Sequence, residues 1–298
     1  MGRWRIGAAV GLLLAAGSVA AGDRQPRLGA VFGEIESAFI EPEQTLLDVA
    51  YERRLGFEAV TRLNPDVDPW IPEPGTVVRL PTRFVLPQVD EEGLVINIPE
   101  MRLYDFSVAD GPEVLSVAIG DEADPSILGE FKVGGMRKHP TWHVPASIRA
   151  EDPNLPEQVP AGPDNPLGSR WITIGQTSYG IHGTNVRWSI GRQATHGCLR
   201  LYEEDVKRLY DRVSPGTRIQ IVYQPYKWGR DETRLYLEAH PDPYGLLDDP
   251  LEAALEVPRA LGLEGGLDAV RLWRTLKEAR GVPVAVGTPL APTSTPTS

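Results

Sequence analysis

The sequence predicts a mainly β protein: an antiparallel sheet preceded by a small βααβ unit and followed by a C-terminal appendage. Three observations carry this expectation. The 298 residues include 28 prolines and 30 glycines, which cut the chain into short segments. Residues 94–222 hold repeated short apolar or alternating runs bounded by turn residues, the pattern of strands. Helical spacing is confined to a few stretches near the N-terminus, around 206–213 and around 267–279.

The elements follow in order. Residues 34–40 alternate as a strand, and Thr45-Leu46-Leu47-Asp48 is a capping box that opens a helix running to about Arg54, with Leu47, Ala50 and Tyr51 on one face. Gly56 stops it, a second short helix spans 57–63 and ends at Asn64-Pro65, and residues 76–80 form a closing strand. Strands are expected at 94–98, 101–106, 114–119 and 129–133, with Pro99-Glu100 and Asp110-Gly111 as hairpin connections. Residues 138–166 are rich in proline and polar side chains and are expected to form a long irregular excursion, a lid or binding loop. Residues 171–174 and 179–182 return to strand. Val206, Leu209, Tyr210 and Val213 mark a helix, and 217–222 closes the sheet. Residues 225–281 read as the appendage, with a strand at 234–238 and an amphipathic helix at 267–279. Residues 282–298, rich in Pro, Thr and Ser, read as disordered.

Arg3 and Arg5, an apolar run over 6–16 and the small residues Ser18-Val19-Ala20-Ala21 read as a signal peptide over 1–20, too short in its apolar part for a membrane span. The mature chain is therefore expected outside the cytoplasm. The formal net charge is −11, and loss of Arg3 and Arg5 makes it more negative still. With no basic patch evident, nucleic acid is excluded as a partner.

Cys198 is the single cysteine. It cannot form an internal disulfide, so in an exported protein it is reactive, intermolecular or a buried apolar filler. A thiol becomes a nucleophile as the thiolate and needs a base or a cation beside it. His182, at the end of a predicted strand, is the first candidate base, and His196, two residues before the thiol, is the second. Gly197 permits a backbone in which its own amide and that of Cys198 point together at a developing oxyanion. Arg200 has the spacing to meet a substrate carboxylate. Cys198, His196 and His182 are also conceivable zinc ligands, but three are too few for a closed structural site and no acidic residue has a ligand-like spacing near them, although three suffice for an open catalytic site. No metal and no cofactor are expected.

The run Ile181-His182-Gly183-Thr184-Asn185, then Ile190-Gly191, then Thr195-His196-Gly197-Cys198-Leu199-Arg200-Leu201 resembles the signature of the YkuD-type L,D-transpeptidase catalytic domain with a cysteine nucleophile. Lys138-His139-Pro140-Thr141-Trp142 and Pro163-Asp164-Asn165-Pro166-Leu167-Gly168 resemble its ErfK/YbiS-like periplasmic branch. Residues 33–82, through Glu41-Pro42-Glu43-Gln44-Thr45-Leu46, Asn64-Pro65 and Pro74-Gly75-Thr76, resemble a LysM glycan-binding module.

The resemblance implies an antiparallel β-sandwich catalytic domain over 91–224. It implies attack by Cys198 on the third residue of a peptidoglycan tetrapeptide stem, release of D-alanine and an acyl-enzyme. It casts His182 as general base oriented by the Gly183 carbonyl. His196 and Gly197 shape the catalytic site, and Gly183, Thr184, Asn185 and Arg200 lie in the substrate-contacting motif. The acceptor is then a diaminopimelate amine, giving 3-3 cross-links, or a lysine of an outer-membrane lipoprotein. Water would make the protein an L,D-carboxypeptidase, and a degenerate catalytic domain would leave a wall-binding protein. Thr195 stands where serine is usual in the family, and Ser126-Ile127-Leu128-Gly129 where Thr-Pro-x-Gly is usual.

Overall fold

The computed structural model describes residues 26–109 and 111–288. The signal segment, Asp110 of the expected turn and the last ten residues of the expected tail lie outside them.

Among the described residues β1 (Gly29–Phe32) comes first, and the βααβ unit follows: β2 (Glu36–Phe39), α1 (Leu46–Glu52), α2 (Phe57–Leu63) and β3 (Val77–Leu80). The strands pair antiparallel from Glu36↔Leu80 to Phe39↔Val77. The capping box forms as the sequence demands: the Asp48 amide donates to Thr45 Oγ1, and the Thr45 amide donates to Asp48 Oδ2 at 3.0 Å. Leu46, Val49 and Ala50 make the buried face of α1 and pack on Val60 and Val78. Tyr51 leaves that face and meets Tyr202 edge-on, at 5.7 Å between ring centroids. Short β4 (Phe84–Val85) follows.

The next region contains β5 (Leu94–Asn97), β6 (Arg102–Asp105), β7 (Glu113–Gly120), β8 (Gly129–Lys138), β9 (Trp142–His143), α3 (Ala146–Glu151), β10 (Gln158–Val159), β11 (Arg170–Ile174), β12 (Gly180–His182), β13 (Gln193–Thr195), β14 (Leu199–Leu201), α4 (Glu203–Arg212) and β15 (Arg218–Val222). The expected sandwich is corrected to a closed barrel. Strands run β7-β14-β12-β11-β8-β15-β5-β6, and β6 pairs again with β7. Closure rests on the length of β7, whose residues 113–116 pair with β6 while Val117 and Ala118 pair with β14. Residues such as Ile96, Leu103, Val117, Ile172, Ile181 and Leu199 fill its inside in one core cluster, to which Val206 and Leu209 of α4 add. Alternation along a strand does not distinguish an inside face of a barrel from an inner face of a sandwich.

Two further corrections concern the same region. The strand expected to end at 133 continues to Lys138, and the excursion beyond it is not irregular throughout. β9 and β10 pair in it, α3 lies between them, and buried Asn165 ties it together by donating to the carbonyls of Pro140, Val159 and Pro160.

The C-terminal residues are not an appendage. β16 (Tyr226–Arg230), β17 (Leu235–Ala239), α5 (Pro250–Ala260), α6 (Ala269–Glu278) and β18 (Pro283–Gly287) build a sheet of order β18-β17-β16-β1-β4 with the N-terminal strands. β1 lies parallel to β16, and Trp228, Leu237, Val286 and Leu272 fill its core. Residues 283–287, expected to be disordered, are therefore a strand. Their few apolar side chains gain order by pairing with β17, a long-range contact invisible to local composition.

Candidate active site

Four cross-strand neighbours form one row on the outer wall of the barrel. Arg137 on β8 pairs with Trp171 on β11, Trp171 with His182 on β12, and His182 with Arg200 on β14. Alternation explains the direction. Ile172, Ile181, Leu199 and Leu201 point into the barrel core, so Trp171, His182, Cys198 and Arg200 turn the other way. Parallel pairing of β12 with β14 brings together residues sixteen apart in sequence, since His182 ends one strand and Cys198 immediately precedes the other. These residues open into a cavity of about 490 Å³ whose opposite wall is the excursion, with Pro140, Trp142, His143, Ile148 and Leu167. Asp124, Arg137, His143, Tyr179, His196, Cys198 and Arg200 are the ionisable groups that share this cavity with His182.

His182 is buried. Its Nδ1 lies 2.6 Å from the Gly183 carbonyl oxygen, so Nδ1 carries the proton and donates, leaving Nε2 as the basic nitrogen. The ring stacks on Trp171 with centroids 5.6 Å apart and planes 18° apart. Burial, and then the Arg200 charge, push its pKa down to about 3, so the imidazole is neutral at pH 7. Burial raises the Cys198 thiol above its usual range, against the Gly180 amide and the Arg200 cation, which favour the thiolate. The resting pair is therefore a neutral thiol beside a neutral imidazole. Arg200 Nε has no hydrogen-bond partner among the described residues, and its charge faces the thiol.

The loop holding Cys198 is tightly specified. Thr195 Oγ1 donates to the Cys198 carbonyl at 2.6 Å. Gly197 has φ +91°, and a Cβ there would lie 2.5 Å from Tyr179 Cε1, so both conformation and space require glycine. His196 reaches Glu151 at the end of α3, with Nε2 3.1 Å from Oε2. That contact ties the excursion to the loop that holds Cys198. Gly183 leaves room for the Glu203 carboxylate, 2.1 Å from where its Cβ would be, and that carboxylate accepts from the Ser169 amide. Thr184 is buried and its Oγ1 accepts from the Val186 amide, while Asn185 is exposed. Neither lines the cavity.

Two groups of side chains are close enough to hold a cation. Asp124, Glu151 and His196 at the mouth are exposed, and Glu100, Glu238 and His240 are buried far along the chain from Cys198. Neither group contains Cys198 or His182. In the buried group Lys227 Nζ already stands 2.6 Å from Glu100 Oε2 and 3.1 Å from Glu238 Oε1.

Trp171, Arg137 and Asn165 escaped the sequence reading as site residues. The signal for Trp171 and Arg137 is strand register, which sequence periodicity does not supply. Asn165 stood in a quoted motif without a role.

Residues 91–221 match the family of the YkuD-type L,D-transpeptidase catalytic domain. The "Probable L,D-transpeptidase YbiS" of Escherichia coli strain K12 is 36% identical over 256 residues, covering 81% of this chain and 83% of that protein. The "Probable L,D-transpeptidase ErfK/SrfK" of Salmonella typhimurium strain LT2 is 34% identical, covering 78% of this chain and 79% of its own length. The "Probable L,D-transpeptidase YcfS" of Escherichia coli strain K12 is 38% identical over 192 residues, 60% of this chain and 59% of that protein.

Proposed function

The chain belongs to the L,D-transpeptidase family, and from that premise we propose that Cys198 and His182 carry its acyl transfer on peptidoglycan stems. The observation that carries this reading is the register of β12 and β14, which sets His182 and Cys198 on one wall of one cavity.

Cys198 Sγ attacks the carbonyl carbon of the third stem residue as its proton passes to His182 Nε2. The Gly197 and Cys198 amides receive the developing oxyanion, an arrangement worth about 10²-fold or more in rate per donor. The carbon–nitrogen bond to terminal D-alanine breaks, His182 returns the proton to the leaving amine, and a thioester remains. An acceptor amine then attacks the thioester, its proton passes to His182, and the thiol is restored. Because thiol and imidazole are both neutral at rest, proton transfer accompanies attack. Arg200 lowers the cost of negative charge on sulfur and, with Arg137, offers the cavity a cation for a stem carboxylate.

The acceptor is an amine, either of diaminopimelate on a second stem or of a lipoprotein lysine, with water giving carboxypeptidase turnover. The βααβ unit is the LysM-like glycan holder, and the protein works in the periplasm after removal of residues 1–20. Among the described residues no helix is long and apolar enough to cross a membrane.

The test is mass spectrometry of a tetrapeptide-stem substrate incubated with enzyme, with and without a lysine-bearing acceptor peptide. The expected result is loss of D-alanine, a covalent adduct on Cys198 and an amide-linked product. Cys198→Ala abolishes all three. D-alanine release by that variant would overturn the thiol mechanism.

A further inference from the structure

Trp171, like Arg137, is a side chain of the site row that no sequence motif singled out, and three observations converge on it. Its indole lies nearly parallel to the His182 ring from the directly opposed position on the neighbouring strand. Its Nε1 donates to Thr173 Oγ1 at 2.9 Å, which fixes the rotation of the indole. The third observation is the glycine two residues before the base. A Cβ on Gly180 would lie 2.5 Å from Trp171 Cζ2, 2.7 Å from Cε2 and 2.8 Å from Cη2. Gly180 is not among the residues of positive φ, so its lack of a side chain is explained by the indole and not by its backbone conformation.

We propose that Trp171 is a positioning residue for His182, seated in the notch that Gly180 leaves, and that Trp171 and Gly180 act as one unit. This rests on the reading of His182 as the base. The Gly183 carbonyl at Nδ1 sets the tautomer of the imidazole and the Leu167 carbonyl is a second backbone acceptor for it, but hydrogen bonds in the ring plane leave both faces bare and rotation about Cβ–Cγ to be fixed by what packs on them. The flat indole blocks that rotation and keeps water from one face of the ring. Nε2 thereby stays aimed along the wall toward the neighbouring strand and the thiol. A misdirected base loses rate with little change in substrate binding, and displacement by about 1 Å costs up to roughly 10²-fold.

The experiment compares Trp171→Phe, Trp171→Ala, Gly180→Ala and the double variant Trp171→Ala/Gly180→Ala in the full-length enzyme, using D-alanine release from a tetrapeptide stem. Trp171→Ala is expected to lower kcat by about ten- to a hundredfold at nearly constant KM. Its acid limb of kcat/KM moves up toward the ordinary histidine range as water reaches the ring. Trp171→Phe keeps an aromatic face and retains most of kcat. Gly180→Ala displaces the indole and copies the Trp171→Ala defect, yet adds little in the Trp171→Ala background, the signature of a coupled pair. Thermal melting confirms that each variant folds, and a variant that does not fold hands the decision to Trp171→Phe and its pH profile.

Unchanged kcat and an unmoved acid limb in folded Trp171→Ala overturn the proposal, as do strictly additive losses in the double variant. Activity surviving in His182→Ala instead overturns the base assignment itself, so the two failures are separable.

Discussion

The protein buries two histidines in opposite electrostatic company. His240 lies at the seam where the barrel meets the five-stranded sheet, with Nε2 2.8 Å from Glu238 Oε1. Around it Glu100 and Glu238 face Lys227 and Arg102, with Tyr104 Oη donating to Glu100 at 2.5 Å and the Val85 amide to Glu238 at 2.5 Å. Two carboxylates meet two cations, so the cluster is neutral without a charge on His240. Burial is the main reason its pKa is lowered. Among the described residues no carboxylate acts on His182, only burial, the Arg200 cation and the Gly183 and Leu167 carbonyls.

Balanced burial makes a lock. Lys227 and Glu238 come from the C-terminal strands, Glu100, Arg102 and Tyr104 from the barrel region, and Arg102 also donates to the Pro81 carbonyl of the N-terminal segment. Unbalanced burial makes a reactive site, where a proton or a substrate charge can change the energy by much more than it would in water.

The largest expected effect breaks the comparison on the His182 side. His182→Ala should reduce kcat by about 10²- to 10⁴-fold while the melting temperature holds or rises, measured by stem turnover and calorimetry. His240→Gln, by contrast, should leave kcat within a small factor. Equal losses in both variants would erase the distinction between lock and site.

Lys227→Met attacks the lock. Removing one partner of a buried ion cluster strands a carboxylate and costs about 3–5 kcal/mol of stability, read from denaturant unfolding. His240 should then take up a proton to restore neutrality, its pKa rising, as followed by imidazole proton resonances. A variant with wild-type stability and unchanged His240 titration would mean that the cluster is not held by charge balance.

A smaller loss is expected at the join between the βααβ unit and the catalytic loop. Gly191 has φ +74°, and a Cβ there would lie 2.2 Å from Gly56 Cα. The Phe57 amide donates to the Ile190 carbonyl and Tyr202 Oη to the Leu55 carbonyl across the same contact. Gly191→Ala should cost about 1–3 kcal/mol and make the α1–α2 segment more susceptible to protease, since the backbones can no longer touch. Because residues 183–197 connect His182 to Cys198, kcat should fall with it. Wild-type protection and activity would show that the contact is incidental.

The smallest effect is in pH dependence. Both histidines have lowered native pKa values, so below about 6.5 the unfolded chain binds protons that the native chain does not. Stability from this source is therefore present above pH 6.5 and lost as the pH falls toward 3, the window set by His182. His182→Gln and His240→Gln should each flatten the fall in stability between pH 6 and 4. A slope unaltered in both would place the acid sensitivity in other groups.

Local chemistry in the sequence was enough for the βααβ unit, whose capping box, Asn64-Pro65 stop and closing strand all depend on residues a few positions apart. The same holds for the Gly197-Cys198 turn and for His182 at a strand end. The interiors of the barrel strands were visible as apolar alternation, yet that alternation is the same for a sandwich and a barrel. β18 was hidden because its pairing partner lies almost fifty residues away, inside a tail whose composition argued for disorder.

By itself, then, the sequence determined which side chains could do the chemistry and which segments could be strands, because those properties reside in residue type and short-range period. The tertiary structure decided which strands are neighbours. That choice closed the barrel through β7, joined β1 and β18 in one sheet, and aligned Arg137, Trp171, His182 and Arg200 in a single row. Cross-strand register is a long-range property, fixed by how all the apolar faces pack together, and so no local window of sequence contains it.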